Sequence, residues 1–346
     1  MRRFRVVVVG CGRMGRNHLR VLAEDPGFEV VGVVDPACPS ERINPASGPE
    51  VPVMASIDDL VGKDGRPTCD CAVIASPTGT HHAVASRLVG MGVAVLVEKP
   101  IVHESDVGEG LISEARAAGV VLAVGHVERF NPAVMKLREV LDAGWLGTPI
   151  HFSFTRVGGY PSEIAAGNNV LLDLAVHDLD LLELLHGSFQ VVSSICHSTL
   201  RPGVLDTAEI LLAHSAGASA SVHVNWVTPT KVRSVRVTGT RGVVFVDYIL
   251  QTVRLMGGNL LNVSRANRTS FDQIVEDYRN CDQIEFGVQK HEPLKLEIRA
   301  FWEALCGRPS AICSGEEGLR AVRLAEAAIR ESRRGIRAWC DASGTG

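Results

Sequence analysis

Three glycines near the start of the chain constrain its fold more than any other feature. An apolar run at residues 5–9 ends at Gly10-x-Gly12-x-x-Gly15, and a helical pattern follows over residues 14–24. In the turn between a strand and a helix, Gly10 permits the tight bend and Gly12 lets the backbone approach a pyrophosphate. Gly15 lets the helix pack closely on the strand. This order of strand, glycine turn and helix predicts a phosphate-binding corner at the start of an α/β domain.

Asp35 gives the corner a preferred ligand. It ends the second apolar run, residues 29–34, and follows Gly15 by 20 residues. A carboxylate at this place can bind the ribose hydroxyls of NAD and repels the additional phosphate of NADP. Pro36 comes next rather than a phosphate-binding arginine, although Arg42 is close in sequence. We predict that the chain binds NAD, with NADP as the less favoured cofactor.

Alternation of strands and helices continues to about residue 125 and then stops. Such alternation predicts a parallel sheet covered on both faces, whereas the runs of strands after Pro149 predict a mostly antiparallel sheet. The fold class is therefore an α/β Rossmann domain followed by an α+β domain with a large open sheet. We place the domains at 1–125 and 126–346, and the closing helices could pack back on the first domain. The expected strands are 5–9, 29–34, 71–75, 93–97, 120–124, 151–156, 191–197, 208–213, 218–226, 232–238, 243–247 and 252–256. The expected helices are 14–24, 80–90, 105–118, 170–186, 295–306 and 316–334. Residues 36–52 are expected to form a loop with at most a short helix.

Composition excludes several classes of partner. The 346 residues carry a formal net charge of −4, which attracts neither nucleic acid nor an anionic membrane. No apolar run approaches the roughly 20 residues that span a bilayer. The arginine-rich start resembles a signal peptide, but its valines lead directly into the glycine turn, so we expect a cytoplasmic protein. The nine cysteines lack the spacing of a metal site, so no metal is expected and the ligand is expected to be a small molecule.

Two groups of residues could carry chemistry. Lys99, in Glu98-Lys99-Pro100, ends the apolar run 93–97, and ligands of open α/β sheets bind beyond the carboxyl ends of the strands. Asp173 and His177 would lie one turn apart on a helix, where the carboxylate can hold the imidazole ready to act as a general base. An exposed ion pair or a helix cap would explain the same spacing.

The junction segment 125–132 places polar residues beside the expected crevice. Arg129 could anchor an ion pair and Asn131 could contact a ligand, and a structural role would explain each equally well. His81 and His82 open a helix near the same crevice, where packing is the favoured role.

At these positions the sequence resembles the Gfo/Idh/MocA family of pyranose and cyclitol oxidoreductases. The resemblance rests on the glycine turn, Glu98-Lys99-Pro100, Asp173-x-x-x-His177 and the order of elements after residue 150. Segments 125–132, 173–180, 247–249 and 292–297 are similar to the branch that contains UDP-N-acetylglucosamine 3-dehydrogenases. Many family members have glycines where this chain has Gly167-Asn168-Asn169, in a loop that borders the substrate.

The resemblance implies a set of site residues. Lys99, Asp173 and His177 would form the catalytic group. The cofactor set would comprise Gly10, Gly12, Arg13, Met14, Gly15, Asp35, Ser76, Pro77, Thr78, His81, Glu98 and Lys99. The substrate set would comprise Lys99, Asn131, Arg156, Tyr160, Asn169, Asp173 and His177, with Arg156 and Tyr160 as candidates for a diphosphate contact that could equally be packing or surface residues.

The implied reaction is oxidation of a sugar ring hydroxyl, with C3 of UDP-N-acetylglucosamine as the leading substrate. His177 would accept the proton and Lys99 would stabilise the developing alkoxide, or Lys99 would itself be the base. Another nucleotide sugar, a free sugar or inositol is the alternative substrate, and a regulator that senses NAD or sugar without catalysis is a more distant alternative. An open sheet must cover its outer face, so a homodimer or homotetramer is expected.

Overall fold

The computed structural model describes residues 2–45, 48–161, 164, 167–257 and 282–343. The chain divides into two compact units rather than at a single point. The first unit comprises residues 1–127, 163–168 and 292–326, and the second comprises 128–162, 169–291 and 327–346. Residues 292–326 thus belong with the first unit, an arrangement that the sequence analysis left open for the closing helices.

The first unit is built on an eight-stranded sheet. Its strands are β1 (Phe4–Val9), β2 (Phe28–Val34), β3 (Arg42–Ile43), β4 (Val51–Met54), β5 (Cys71–Ile74), β6 (Ala94–Glu98), β7 (Leu122–Gly125) and β16 (Cys313–Ser314). They are arranged in the order β16-β7-β6-β5-β1-β2-β4-β3. The central pairs are parallel, so the carboxyl ends of β1, β5 and β6 share one edge of the sheet.

Helices cover this sheet because most of its strands are apolar on both faces. The four residues of β5 and all five of β6 are buried, as a doubly covered parallel sheet requires. The helices of this unit are α1 (Arg13–Glu24), α2 (Thr78–Gly90), α3 (Ser105–Ala118), α6 (Pro293–Leu305) and the first part of α7 (Gly315–Ser343).

Helix α6 explains why the closing segment belongs to the first unit. Its apolar residues Leu294, Ile298, Phe301 and Trp302 join the core formed by α1 and the sheet. The ring of Phe301 stacks on Phe28 of β2 with centroids 6.3 Å apart. Removing these side chains from water supplies the energy that holds α6 in place.

The second unit contains the other eight-stranded sheet, and this sheet is mostly antiparallel as the sequence predicts. Its strands are β8 (Pro149–Val157), β9 (Phe189–His197), β10 (Thr207–His214), β11 (Ser219–Asn225), β12 (Val232–Gly239), β13 (Gly242–Asp247), β14 (Thr252–Gly257) and β15 (Asp282–Phe286). They follow the order β15-β14-β13-β12-β8-β11-β10-β9, with only β8 and β11 parallel. Alternate residues of β10 are buried and exposed, so one face of the sheet carries the core.

Two helices, a π turn and the last part of α7, from residue 327, belong to this unit. The helices are α4 (Pro132–Asp142) and α5 (Val176–His186), and the π turn Leu171–Ala175 leads into α5. The expected single helix over 170–186 is therefore interrupted at its start. In the part of the chain that the structure describes, no helix is both long and apolar enough to cross a membrane.

Four strands and one α-helix were not predicted. β3 lies in the segment 36–52 that was expected to be a loop, and β4 begins there. β15 and β16 lie beyond the last expected strand, and α4 follows the junction segment. The start of α4 carries a signal that the prediction did not use. Asn131 caps the helix by accepting a hydrogen bond from the Ala133 N–H, and Pro132 is its first residue.

Candidate active site

The glycine corner of the first unit is crowded at two of its glycines and open at the third. Gly10 has φ +95°, and a Cβ at Gly10 would lie 2.7 Å from the Ala75 carbonyl oxygen. A Cβ at Gly15 would lie 1.8 Å from the Gly10 carbonyl oxygen. At Gly12, by contrast, a Cβ would meet no described atom within 4 Å. The corner is closed behind Gly10 and Gly15 and open in front of Gly12.

The start of α1 is suited to a phosphate. Gly12 is its N-cap, so no side chain satisfies the first N–H groups of the helix, and no acidic residue stands in its first turn. These N–H groups and the positive end of the helix dipole favour a negatively charged ligand. Gly12, Arg13 and Met14 are exposed or half-buried at this end. The residues present therefore fit the pyrophosphate of a dinucleotide.

Asp35 lies beside this corner with its carboxylate fixed. Its Oδ2 accepts a hydrogen bond of 2.7 Å from the Cys11 N–H, and its Oδ1 accepts one of 2.9 Å from the Ala37 N–H. Arg42, the residue that kept NADP open, donates to the Glu50 carbonyl oxygen at 2.6 Å. A half-buried carboxylate at this position suits the ribose hydroxyls of NAD.

The turn from β5 into α2 lies at the same sheet edge. Ser76 and Thr80 share a hydrogen bond of 2.7 Å between their hydroxyls, and Pro77 caps α2 without a side-chain hydrogen bond. His81 behaves differently from its implied role. It is 1% exposed, and its two ring nitrogens each lie 2.9 Å from a protein carbonyl oxygen, those of Ser76 and Pro100. This placement matches the packing role and gives no support to a cofactor contact.

Lys99 follows β6 directly and is half-buried. The peptide bond to Pro100 is cis. Because β1, β5 and β6 are parallel, Lys99 stands at the same sheet edge as the glycine corner. The backbone N–H of Lys99 donates a hydrogen bond of 3.3 Å to Oε2 of Glu98. The other carboxylate oxygen of Glu98, Oε1, lies 2.6 Å from Nε2 of His18. The sequence-predicted residues of the first unit are thus brought to one edge.

In the second unit, Asp173 is held by an indole. The Trp226 N–H donates to Oδ2 of Asp173 at 3.0 Å, and Trp226 is 1% exposed. Tyr160 packs edge-to-face on Trp226 with ring centroids 6.3 Å apart and is 46% exposed. Asp173 lies in the π turn and His177 in the first turn of α5, both half-buried. Single π turns occur often at functional sites.

Asn169 fixes the start of this helix. Its Oδ1 accepts hydrogen bonds from the N–H groups of Leu171 and Leu172, at 3.0 and 3.1 Å. The Asp173 N–H donates to the Asn169 carbonyl oxygen at 2.9 Å. Asn169 therefore sets the direction in which the Asp173 segment leaves its loop.

Arg156 and Asn131 occupy a buried network rather than an open surface. The Arg156 guanidinium is 3% exposed, donates two hydrogen bonds to Asp178 and a third of 2.8 Å to Glu128. Asn131, 4% exposed, donates to Glu128 and to the Tyr248 carbonyl oxygen. A diphosphate or sugar contact would have to break these bonds, so the structural role that the sequence left open is the one this geometry supports.

Arg129 has a similar role. It forms a two-pronged pair with Asp180 at 2.8 and 2.6 Å, and both side chains are buried. Breaking such a pair by removing one partner typically costs about 3–5 kcal/mol, because the other charge stays buried. These pairs explain why charged residues cluster in segments 125–132 and 173–180.

Sequence reasoning missed Trp226, which had no recognisable spacing to Asp173. It also missed His18 and Glu297, which lie beside Glu98. Trp226, His18 and Glu297 are each more than 50 positions away in the chain from the residue that they lie against, so only the fold brings them together.

A carboxylate-bearing dinucleotide corner with a lysine at the same sheet edge defines an NAD-dependent oxidoreductase. The model of the oxidoreductase family with an NAD-binding Rossmann fold matches residues 4–126, and the model of the GFO/IDH/MocA C-terminal domain matches residues 134–245. The chain belongs to the GFO/IDH/MocA oxidoreductase family.

Relatives of this chain act on different compounds. It is 27% identical over 345 residues to scyllo-inositol 2-dehydrogenase (NAD(+)) of Bacillus subtilis, covering 96% of this chain and 95% of the relative. It is 26% identical over 324 residues to UDP-N-acetylglucosamine 3-dehydrogenase of Acidithiobacillus ferrooxidans, covering 93% and 95%. A solved structure of the latter superimposes with TM-score 0.77 at 25% identity, covering 95% of this chain and 97% of the other.

Proposed function

We propose that the protein oxidises a secondary ring hydroxyl of a sugar or cyclitol to a ketone with NAD. The observation that carries the proposal is the position of Lys99, at the carboxyl end of β6 and at the same sheet edge as Asp35 and the glycine corner. When bound, NAD supplies a nicotinamide ring that accepts hydride. The chain must then remove the hydroxyl proton and stabilise negative charge on the oxygen.

We assign these two tasks to different residues. His177 accepts the hydroxyl proton, and Asp173 orients its imidazole, since a carboxylate beside an imidazole favours one tautomer. Trp226 supports this role because its N–H holds the Asp173 carboxylate. Lys99 stabilises the alkoxide through its positive charge, which matters most where negative charge develops in the transition state.

The assignment is tested by comparing Lys99→Met and His177→Asn across pH. Loss of a general base typically lowers the rate about 10²–10⁴-fold. In the native chain we expect kcat/KM to fall as the pH is lowered, because the base becomes protonated. His177→Asn should lose this dependence on pH, whereas Lys99→Met should lower kcat/KM and keep it. The reverse pattern would make Lys99 the base, and full activity of both variants would remove them from the reaction.

UDP-N-acetylglucosamine, oxidised at C3, is the first substrate to test, because four sequence segments are similar to the branch of enzymes that oxidise it. A relative that is 26% identical and a solved structure with TM-score 0.77 carry the name of that activity. Inositol is the second, because a relative of similar identity acts on scyllo-inositol. Mass spectrometry of the product formed with NAD distinguishes them. Tight binding of free UDP would support the nucleotide sugar, since UDP shares its diphosphate, and indifference to UDP would favour a free sugar or cyclitol.

A regulator that binds NAD or sugar without turning it over is the alternative from another class. Absorbance at the NADH band, followed with NAD and a panel of sugars and inositols, decides the question. A rise that Lys99→Met abolishes supports the enzyme, and no rise with any member of the panel favours the regulator.

We also propose that the protein forms a homodimer or homotetramer through the outer face of the second sheet. That face carries exposed apolar residues, Val192, Ile195 and Leu211 among them. It also carries a groove of about 550 Å³ bordered by Arg236, Arg254 and Glu285. A symmetric partner would cover both features.

A further inference from the structure

We propose that His18, Glu98 and Glu297 form a buried cluster that positions Lys99. The inference rests on the proposed role of Lys99 and adds three residues that none of the catalytic assignments includes. They are positioning residues, because each acts on Lys99 through the protein and none is proposed to touch substrate.

The cluster is compact and removed from water. An imidazole nitrogen of His18, a carboxylate oxygen of Glu98 and one of Glu297 all lie within 4.8 Å of one another. His18 and Glu297 are 0% exposed, and Glu98 is 8% exposed. The three come from separate elements, α1, β6 and α6, so the cluster ties both helices to the strand that directly precedes Lys99.

Glu98 connects the cluster to Lys99. Oε1 of Glu98 meets Nε2 of His18 at 2.6 Å, while Oε2 accepts the Lys99 backbone N–H at 3.3 Å. The carboxylate therefore folds back on the end of its own strand. Any movement of its other oxygen changes the hydrogen bond that fixes the Lys99 backbone.

The neighbouring strand leaves space for this carboxylate. Gly125 of β7 pairs directly with Glu98, and a Cβ at Gly125 would lie 3.3 Å from both Cδ and Oε1 of Glu98. A larger residue would press on the carboxylate at the point where it meets His18. A glycine at this position keeps the carboxyl group in contact with its two partners.

The charges of the cluster depend on one another. Burial raises the pKa of Glu98, but the hydrogen bond and charge of His18, together with the charges of Lys99 and His81, outweigh it and leave that pKa below its usual value. The ionised carboxylate thus lies between the imidazole and the lysine. Glu297 adds a second carboxyl group to the same buried space, with an oxygen within 4.8 Å of both the His18 imidazole nitrogen and a Glu98 carboxylate oxygen.

The test is Glu297→Gln, which keeps the shape of the side chain and replaces its carboxyl group by an amide. We expect kcat to fall about 10- to 100-fold, as a small displacement of a catalytic group does, while the Kd for NADH measured by fluorescence stays unchanged. His18→Gln should behave in the same way and serves where Glu297→Gln does not fold.

Ile298→Val is the matched control. Ile298 is adjacent to Glu297 on α6 and 0% exposed, so this variant loosens the same helix without changing a charge. It should lower the Tm slightly, because a buried methyl group is removed, and keep its kcat. Equal loss of kcat in Ile298→Val and Glu297→Gln would overturn the proposal, because both effects would then be losses of packing.

A second readout needs no substrate. The chain has six lysines, so reductive ¹³C-methylation gives a simple spectrum in which Lys99 is assigned by its absence in Lys99→Met. We expect the Lys99 resonance to move in Glu297→Gln and to stay in place in Ile298→Val, and an unmoved resonance in both Glu297→Gln and His18→Gln would overturn the proposal. Full activity of Lys99→Met would instead refute the proposed function, whatever this spectrum shows.

Discussion

The two N–H groups that hold Asp35 fix a negative charge where the cofactor ribose would lie. Asp35→Asn keeps the size of the side chain and removes that charge. We expect weaker binding of NADH and stronger binding of NADPH, because the repulsion of the additional phosphate is lost. The ratio of the two Kd values, measured by fluorescence titration, checks this.

Asp70→Asn is the control for Asp35→Asn. Asp70 is a carboxylate of the same unit that pairs with Arg5 at an exposed position. The variant Asp70→Asn should leave the ratio of the Kd values for NADH and NADPH unchanged. A ratio that Asp35→Asn also leaves unchanged would show that the specificity for NAD resides elsewhere.

Trp226 offers a test of the Asp173 assignment at a single hydrogen bond. Trp226→Phe removes the 3.0 Å bond to Asp173 and keeps most of the buried ring. Since a hydrogen bond to a charged group is worth about 1.5–3 kcal/mol, we expect kcat/KM to fall about 10- to 100-fold. Steady-state kinetics with the identified substrate provides the measurement.

The matched control is Trp302→Phe. Trp302 is also buried, and its indole N–H donates to the Arg2 carbonyl oxygen at 2.8 Å in the first unit. Both variants should lose stability, but only Trp226→Phe should lose activity beyond that loss. If the two are equally active, the indole of Trp226 contributes packing alone.

Individual residues were harder to predict than their neighbourhoods. The sequence identified segments 125–132 and 173–180 as places where site residues could lie, but it could not tell a ligand contact from a buried pair. Arg156 is the example, because its position on β8 was predicted while its partners Asp178 and Glu128 lie 22 and 28 residues away. Which charge faces which depends on packing that no local pattern encodes.

At the scale of elements, the glycine corner gives the sharpest prediction. Gly15→Ala places a Cβ 1.8 Å from the Gly10 carbonyl oxygen, so α1 must move away from β1. We expect loss of NADH binding by fluorescence, accompanied by a lower Tm. The corner would need revision if Gly15→Ala bound NADH with unchanged affinity.

Gly110→Ala is the corresponding control. Gly110 lies inside α3, and a Cβ there would meet no described atom within 4 Å. Alanine should stabilise this helix by about 0.5–1 kcal/mol, because it has the higher helix propensity. Cofactor affinity should not change, so the pair separates the effect of one corner from the general effect of replacing glycine.

Elements with a strong period were predictable and those without one were not. The helix over 105–118 was predicted at the bounds it has, and the longer strands that were predicted lie within a few residues of their observed bounds. The π turn at Leu171–Ala175 was missed, because an extra residue in one turn leaves no clear mark on an apolar pattern. Strand β3 has two residues, too few for any alternation to be visible.

At the scale of the whole molecule, the division into units follows from packing rather than from chain order. Residues 292–326 rejoin the first unit because α6 buries its apolar face in that core. A sequence alone gives the helix and its apolar face, but it does not say which of two cores will receive it. For this reason the sequence leaves open whether the closing helices pack on the first domain or on the second.

The outer face of the second sheet makes the last prediction. Ile195 of β9 and Leu211 of β10 are 52% and 53% exposed, although both lie in strands whose alternate residues form the core. Apolar side chains on one face of an open sheet favour burial against a symmetric copy.

We expect light scattering to give the mass of a dimer or tetramer for the native chain. The double variant Ile195→Asp with Leu211→Asp should give the mass of a monomer and still bind NADH. Leu200→Asp, at an equally exposed leucine outside the strands, should leave the mass unchanged. A native monomer, or a double variant that keeps the native mass, would show that this face is not the interface.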